Sequence, residues 1–520
     1  MKELTVSMRS HHFVVSNITA RSRNCVLNFA RRQVQYGFAR SKNSVKPALK
    51  VFAASTADRD EFRFHINHWK EFQEEMMFSR LSENLIEIIY EPIHEPMLVE
   101  LPLKPDGFPP RDDQPLAIAY LAAPPPPRSK CVIKPPGTGK TFCALSAMSK
   151  IGHRAVGIMK PQFLENWLEG AMKTLGIELE DMVVINGSKQ LIALLNLAIE
   201  NRLPQKIILI SNKTMQNYIT LYEAHKEAII DMGYPCYPDQ MLEVLQAGVR
   251  FIDEVHMDFH LNFKLDLYTN IRQTNVFTAT FLSDDPKVKQ MMELAYPTRE
   301  RYIGPAIKPY VRTRAIFYAF REPDKIKCRI PGNTAYNHNV FEEYILKNER
   351  IMAGYFELIE TMVKREFLDP DFYKPGDKGI LFCSSIAMCT ALQDYLQKKF
   401  PNLDIRRKVA DDDREELREG DLVVSTLGSG GTGHDIPMLT WVGLTTNVRS
   451  SSGNIQGHGR LRELRAVEIA PGVFLEAREP RFTYLVNEDN LKHVEYHEAK
   501  KELILPLSTT YKIEYYDTVI

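Results

Sequence analysis

The run Lys134-Pro135-Pro136-Gly137-Thr138-Gly139-Lys140-Thr141 carries the residue types that a nucleoside triphosphate needs around its phosphates. Glycines let backbone N–H groups approach phosphate oxygens. Lys140 supplies a cation for the β/γ oxygens, and the Thr141 hydroxyl is a hard ligand suited to Mg2+. A helix starting at this point adds the positive end of its dipole. A chance Gly-rich turn would share the glycines but not the Lys-Thr pair behind them. The first loop position departs from the usual Gly or Ala: here it is Lys134.

Downstream, an apolar segment ends in two adjacent carboxylates, Phe251-Ile252-Asp253-Glu254-Val255-His256. Splitting a γ-phosphate needs a metal ligand and a group that polarises the attacking water, roles that suit Asp253 and Glu254. His256 and His260 stand four apart, a spacing that a metal pair would also use. The Asp-Glu pair already explains the segment, so a structural spacing is the plainer reading of the histidines. A third run, Gln456-Gly457-His458-Gly459-Arg460-Leu461-Arg462, offers guanidinium groups for the charge that spreads over a transferring phosphoryl group. An Arg-rich loop alone is more often a solvated surface.

These groups must be held by something, and the apolar patterning says what. Between about 130 and 285, short β-rich runs (131–134, 155–159, 182–185, 206–210, 249–253 and 275–278) alternate with helical stretches. That alternation predicts a parallel sheet with crossover helices. A second set follows: strands at 315–319, 379–383, 421–425 and 440–444, with helices at 341–367 and 386–399. The predicted fold is α/β: two tandem parallel-sheet units, at 96–305 and 306–520, with a small N-terminal α+β accessory domain at 1–95.

A chain of 520 residues is too long for one ordinary core. Its 44% hydrophobic and 25% charged residues are those of a globular protein. No apolar run approaches the roughly 18 residues of a membrane span, and no membrane role is expected. The formal net charge is zero, so any nucleic-acid surface must be local. The seven cysteines are scattered, which predicts neither a zinc site nor a disulfide framework.

Taken in order, the motifs resemble those of superfamily 2 helicases, from about residue 108 to 465. The segment Pro110-Arg111-Asp112-Asp113-Gln114 is similar to the adenine-reading element, and 133–141 to motif I. Residues 155–167 resemble motif Ia, 208–215 the next backbone-contacting element, and 253–256 a DEVH form of motif II. Thr278-Ala279-Thr280 is like motif III, 379–385 like motif IV, 425–437 like motif V and 456–462 like motif VI. In motif VI the family has Arg three places after the first finger. Here that place is Glu463, with arginines at 462 and 465.

The resemblance implies an ATPase that uses Mg2+, with Lys140, Asp253, Glu254, Gln456, Arg460 and Arg462 as catalytic residues. It implies nucleotide contacts from Arg111, Gln114, Pro136, Gly137, Thr138, Gly139, Lys140, Thr141, Gly433 and Asp435. Thr141 and Asp253 would hold Mg2+. Pro161, Gln162, Lys213, Thr214, Thr426 and Thr432 would contact nucleic acid. The short N-terminal domain, compact motor and Asn348-Glu349-Arg350 resemble the bacteriophage UvsW-type recombination helicases, with RecG a relative in activity. That implies a monomeric double-stranded DNA translocase in the host cytoplasm, acting on forks, D-loops, R-loops (with their RNA) or Holliday junctions. An RNA helicase or transcript-release factor, and an ATPase-inactive scaffold, are the alternatives.

Residues 1–50 hold ten Lys/Arg and one acid, Glu3. A nucleic-acid-binding face, an ordinary solvated surface and an organelle transit peptide all fit that bias. Strands are expected at 12–15 and 25–29, which favours a folded segment. In Phe62-Arg63-Phe64-His65-Ile66-Asn67-His68-Trp69-Lys70-Glu71-Phe72, aromatics interleave with basic groups. Such a stretch either stacks bases or builds a core.

Overall fold

The computed structural model describes residues 2–41, 44–107, 109–135, 137–279, 281, 283, 285–305, 308–329, 336–409, 412, 416–430, 436–445, 457–464, 467–470 and 473–520. The chain divides into two compact units, Met1–Pro305 and Ala306–Ile520.

The main sheet of the first unit has seven strands, all parallel. In spatial order they are Met182–Ile185, Ile207–Ser211, Ala155–Met159, Val249–Ile252, Gln273–Thr278, Ser129–Ile133 and Arg301–Ile303. The central strands are buried on both faces; Ile207–Ser211 and Ala155–Met159 read as near-continuous apolar runs for that reason, while Gln273–Thr278 buries Gln273, Thr274 and Asn275 as well. Helices Lys140–Ile151, Pro161–Thr174, Ser188–Ile199 and Asn212–His225 cross over between them. The strand leading into Lys140 and the strand leading into Asp253 are separated by one strand, Gln273–Thr278. This is the strand order of a RecA-like domain, and it places three chemically distinct loops at one sheet edge.

The second unit repeats the plan. Its seven parallel strands run Ile405–Lys408, Leu422–Thr426, Lys378–Cys383, Leu439–Leu444, Arg481–Asn487, Val311–Tyr318 and Ser508–Tyr515. The expected helix at 341–367 is in fact two, His338–Lys347 and Glu349–Met362, followed by a π-helical turn, Val363–Phe367. Asn348 breaks it: its side chain accepts from Ile351 N at 3.3 Å and caps the second helix.

Within the first unit, residues 4–90 form a five-stranded mixed sheet covered by helices Ala20–Arg32 and Trp69–Phe78. The expected strand at 25–29 is the middle of the first of these helices. Cys25, Val26 and Phe29 are β-favouring types, but they fall on one helical face and bury into the core. The aromatic run is core as well. Phe64 and Phe72 are fully buried, and Trp69 meets Phe13 edge to face at 5.3 Å. That packing excludes base stacking by these rings.

Four of the ten basic side chains of the first fifty residues pair with carboxylates. Arg9 pairs with Asp239 at 2.7 Å, Arg21 with Glu3 at 3.6 Å and Arg23 with Asp60 at 3.9 Å; Arg32 pairs with Glu75. The layer is also joined to the main sheet's helices by buried polar contacts. Arg63 reaches Asp239 at 3.1 Å and lies over the Tyr268 ring at 4.7 Å. Ile271 N donates to Ser10 Oγ at 2.8 Å, and Asn67 Nδ2 donates to Leu294 O at 2.8 Å. Residues 1–95 are thus part of one body with the first sheet.

Asp239 carries most of that join. Burial pulls its carboxyl up, but Arg63 and then Arg9 outweigh burial and hold it below the ordinary carboxylate range. Its contribution to stability is therefore present above about pH 4, the unfolded carboxyl's range, and is lost as pH falls through the lower folded value. Arg63→Ala is expected to destabilise the protein by about 3 kcal/mol, because a buried charge loses a partner. In denaturant titrations the gap between wild type and variant should narrow from pH 7 towards pH 3. A constant gap would mean that lost packing, not lost pairing, is the cause.

Candidate functional site

The loop after Ser129–Ile133 takes its shape from two glycines. Gly137 and Gly139 have φ of 76° and 75°, the left-handed region that costs a side-chain-bearing residue roughly 1–2 kcal/mol. At Gly139 there is also no room: a Cβ would lie 2.4 Å from Gln114 Nε2. Gln114 is buried under the loop, its Nε2 donating to Thr138 O at 3.0 Å while its Oε1 accepts from Arg111 N at 2.9 Å. Arg111 Nη1 donates to Gly137 O at 3.0 Å, and Thr138 Oγ1 donates to Pro135 O at 2.7 Å. The Arg111–Gln114 element and the glycine loop are one assembly.

Lys134, the departure at the first loop position, belongs to that assembly. It is 1% exposed, and its Nζ pairs with Asp113 Oδ2 at 2.7 Å. A residue that looked out of place in sequence is a buried tether between the loop and the segment before it.

Helix Lys140–Ile151 starts at Lys140, with Thr141 in its first turn. The Lys140 ammonium lies 3.0 Å from Glu254 Oε1 and donates to Lys134 O at 3.4 Å. Glu254 has φ of 46°, which turns the chain sharply at the end of strand Val249–Ile252 and brings its carboxylate back over the sheet edge. Its Oε2 accepts from Ala279 N at 3.2 Å. His256 Nδ1 lies 2.8 Å from Thr278 Oγ1 and 3.4 Å from Glu254 Oε2. The acidic loop is thereby joined to the end of strand Gln273–Thr278.

Asp253 is held from two sides. Glu254 N donates to its Oδ1 at 2.9 Å, and Trp167 Nε1 donates to its Oδ2 at 2.8 Å. Burial and then the neighbouring Glu254 push the Asp253 carboxyl up to about 6, against Lys140 and Trp167. Burial also works to raise Glu254, but Lys140 and then His256 outweigh it and hold Glu254 below the usual range. Burial lowers His256, so the imidazole is neutral at pH 7. The cluster holds two carboxylates and one ammonium.

The residues expected to meet nucleic acid divide. Pro161 opens helix Pro161–Thr174 and is exposed, with Gln162 beside it; Lys213 is exposed too. Thr214 is 3% exposed and presents no side chain to a ligand. Asp258, with φ of 55°, accepts from Lys160 Nζ at 3.1 Å and Asn212 Nδ2 at 3.4 Å. It ties the turns before helices Pro161–Thr174 and Asn212–His225 to the acidic loop.

His260 does not join His256: its Nε2 lies 2.9 Å from Val51 O. Among the described residues no group of three or more His, Cys, Asp or Glu side chains could hold a metal ion.

In the second unit, Thr426 Oγ1 donates to Ser429 Oγ at 2.9 Å. Arg460 is 8% exposed, and Arg462 donates to Gly459 O and, at 3.3 Å, to Arg460 O. Pro136, Thr280, Thr432, Gly433, Asp435, Gln456 and Arg465 lie outside the described residues.

Three participants had no role in the sequence reading: Trp167, the Lys134–Asp113 pair and Asp258. A tryptophan inside a helix gives no local sign of a carboxylate 86 positions away. The unusual Lys134 was the one available signal.

No family model and no curated protein matches the sequence. Among solved structures, S. cerevisiae Dbp5 bound to RNA and ADP BeF3 is similar over 78% of this chain and 90% of its own, at 13% identity and a TM-score of 0.49. The Pyrococcus furiosus Hef helicase domain is similar over 75% and 98%, at 14% identity and a TM-score of 0.41. The type ISP restriction-modification enzyme LlaBIII bound to DNA is similar over 85% of this chain and 34% of its own, at 14% and 0.48. Likenesses of this size leave the site to be read from its own geometry. No helix among the described residues is long and apolar enough to cross a membrane.

Gly139→Ala is expected to weaken ATP binding at least tenfold in a fluorescent-nucleotide titration. Adding Gln114→Ala should recover only part, because the space returns but φ at 139 stays positive. Full recovery in the double variant would make the clash the whole cause.

Proposed function

We propose that this chain is a nucleic-acid-stimulated ATPase that works as a superfamily 2 helicase or translocase. The observation that supports this most is the convergence of Lys140, Asp253 and Glu254 at the carboxyl ends of parallel strands separated by a single strand. The ordered motifs on both units support it further. Thr141 and Asp253 offer hard oxygen donors, and two carboxylates share one ammonium, a surplus of negative charge that fits Mg2+. Bound there, Mg2+ would offset charge between the β- and γ-oxygens.

The chain's own groups then have separable tasks. The glycine loop's N–H groups and Lys140 bind the phosphates. In the nucleotide-free geometry Lys140 and Glu254 neutralise each other at 3.0 Å. A triphosphate competes for the ammonium, and its arrival frees the Glu254 carboxylate to take a proton from water. Ala279 N keeps that carboxylate aimed, and Asp253 stays fixed by its two donors. Base capture falls to the Arg111–Gln114 element.

The finer reading rests on the resemblance to UvsW-type helicases: remodelling of forks, D-loops, R-loops or Holliday junctions in recombination or repair. Exposed Lys213 and half-buried Gln162 are its proposed backbone contacts. ATP turnover should rise most with double-stranded or branched DNA. Stimulation by RNA alone would replace this with the transcript-release alternative. An absence of turnover with every nucleic acid would leave only an inactive scaffold.

Lys140→Ala is expected to lose both binding and turnover. Glu254→Gln should bind ATP at least as well as wild type, since the competing charge on Lys140 is gone, yet lose on the order of 100-fold or more in single-turnover hydrolysis. Equal loss of binding and turnover in Glu254→Gln would make that residue structural. The resemblance further assigns the Arg460 guanidinium a catalytic role in hydrolysis. Arg460→Ala should then lower turnover by roughly 10³-fold at nearly unchanged ATP affinity, with no rescue by lysine, which lacks the planar fork. Normal hydrolysis by Arg460→Ala would withdraw that assignment.

A further inference from the structure

We propose that Trp167 is the positioning residue that orients the Asp253 carboxylate for Mg2+, making helix Pro161–Thr174 the mechanical link between nucleic acid at its N-terminus and the metal ligand. This deepens the ATPase reading above and rests on it. An apolar core residue would explain part of the environment: Trp167 is 2% exposed, and its ring lies 4.7 Å from that of Phe251 and 6.2 Å from that of Phe277. Phenylalanine or leucine would fill that volume. What they lack is the indole N–H, which donates to Asp253 Oδ2 at 2.8 Å.

The local sequence is built to deliver that donor. Gly157, on the neighbouring strand, has no Cβ, and a Cβ there would lie 2.4 Å from the Phe251 ring. The missing methyl lets Phe251 lie flat on the sheet, and Trp167 packs on Phe251. A buried Trp N–H needs an acceptor, and here it takes the Asp253 carboxylate, the proposed metal ligand.

With Glu254 N on Oδ1 and Trp167 Nε1 on Oδ2, both Asp253 oxygens are fixed. About two of the four lone-pair sites of the carboxylate stay open for a cation. Partners that orient a metal ligand are worth about 10–100-fold in metal affinity.

The same helix is tied to the acidic loop a second time. Lys160, the residue before its first turn, pairs with Asp258 at 3.1 Å, seven positions before Trp167. The loop from Asp253 to Asp258 is thus pinned at both ends to one rigid rod. A nucleic-acid phosphate at the Pro161–Gln162 turn competes with Asp258 for the Lys160 ammonium. The rod carries any resulting shift two turns along to the Trp167 N–H, and so to Asp253.

The test compares wild type with Trp167→Phe, using a fluorescent ADP analogue titrated in EDTA and at increasing Mg2+. Affinity in EDTA should be the same within about twofold, while the gain on adding Mg2+ should fall about tenfold. In a cycle with Asp253→Asn, the Trp167 effect should vanish once the carboxylate is gone. In wild type, the nucleic acid that stimulates turnover should lower the half-saturating Mg2+; in Trp167→Phe that shift should be lost.

Identical Mg2+ dependence in the two proteins would overturn the proposal. So would an equal loss of affinity with and without metal, which marks a residue that only fills the core. If Trp167→Phe does not fold, benzothienylalanine at 167 keeps the ring and deletes only the donor. Wild type that binds the Mg2+ complex but responds to no nucleic acid would end the helicase reading and the link, leaving the orienting role to stand on the binding data. Wild type that binds no nucleotide would end both.

Discussion

Asp253 and Glu254 are neighbours, both half-buried, at the end of strand Val249–Ile252, whose one charged side chain, Arg250, is itself buried and paired with Asp266. Neither charge is tolerable there alone, and each makes the other worse. Their mutual repulsion, met by the ammonium of Lys140, is the constraint that the surrounding geometry serves. The glycine loop must bend through left-handed backbone to set Lys140 at the start of its helix. Glu254 must itself adopt a positive φ to turn back towards that ammonium. Strand order brings the two loops within reach and puts Thr278 and Ala279 between them as hydrogen-bonding neighbours.

The N-terminal layer solves a similar problem at another place. Asp239 is almost enclosed, and it is balanced by arginines from two strand regions of the small sheet, Arg9 and Arg63. The join is electrostatic at its centre and aromatic at its edge, where Arg63 lies over Tyr268. The basic first fifty residues are part of a folded layer, and Arg9 spends its charge on Asp239.

Much of the two sheets was legible because a parallel sheet covered on both faces favours near-continuous apolar strands. The strands Ala155–Met159 and Met182–Ile185 and the helix Ile386–Lys399 fall where the pattern puts them. The two edge strands of the second sheet were not legible. Ile405–Lys408 is IRRK and Ser508–Tyr515 is STTYKIEY, half-solvated runs in which propensity and pattern say little. The helix Ala20–Arg32 was hidden by its Cys-Val-Leu-Asn-Phe centre, whose β-favouring types were overruled by a buried helical face. Of the site, the residues that carry charge in a fixed spacing could be read. Those that orient them, Trp167, Asp113 and Asp258, act across the fold, and nothing local marks them.

Burial of a carboxylate does not by itself mark chemistry, and the second unit shows the difference. Glu342 is fully buried, yet Ser384 N, Ser385 N and Ser385 Oγ all donate to it at 2.8, 2.7 and 2.6 Å, at the start of helix Ile386–Lys399. Asp377, equally buried, takes both terminal nitrogens of Arg478 at 2.7 Å. These two are saturated by fixed donors, and their work is to hold a turn in place. Glu254 has one backbone amide, the nearby His256 ring and one ammonium, and that ammonium sits at the end of the glycine loop. Its partner can be competed away, and theirs cannot. Among these three carboxylates, Glu254 is the one whose charge partner a bound anion could take away, which is why the proposed base role falls to it.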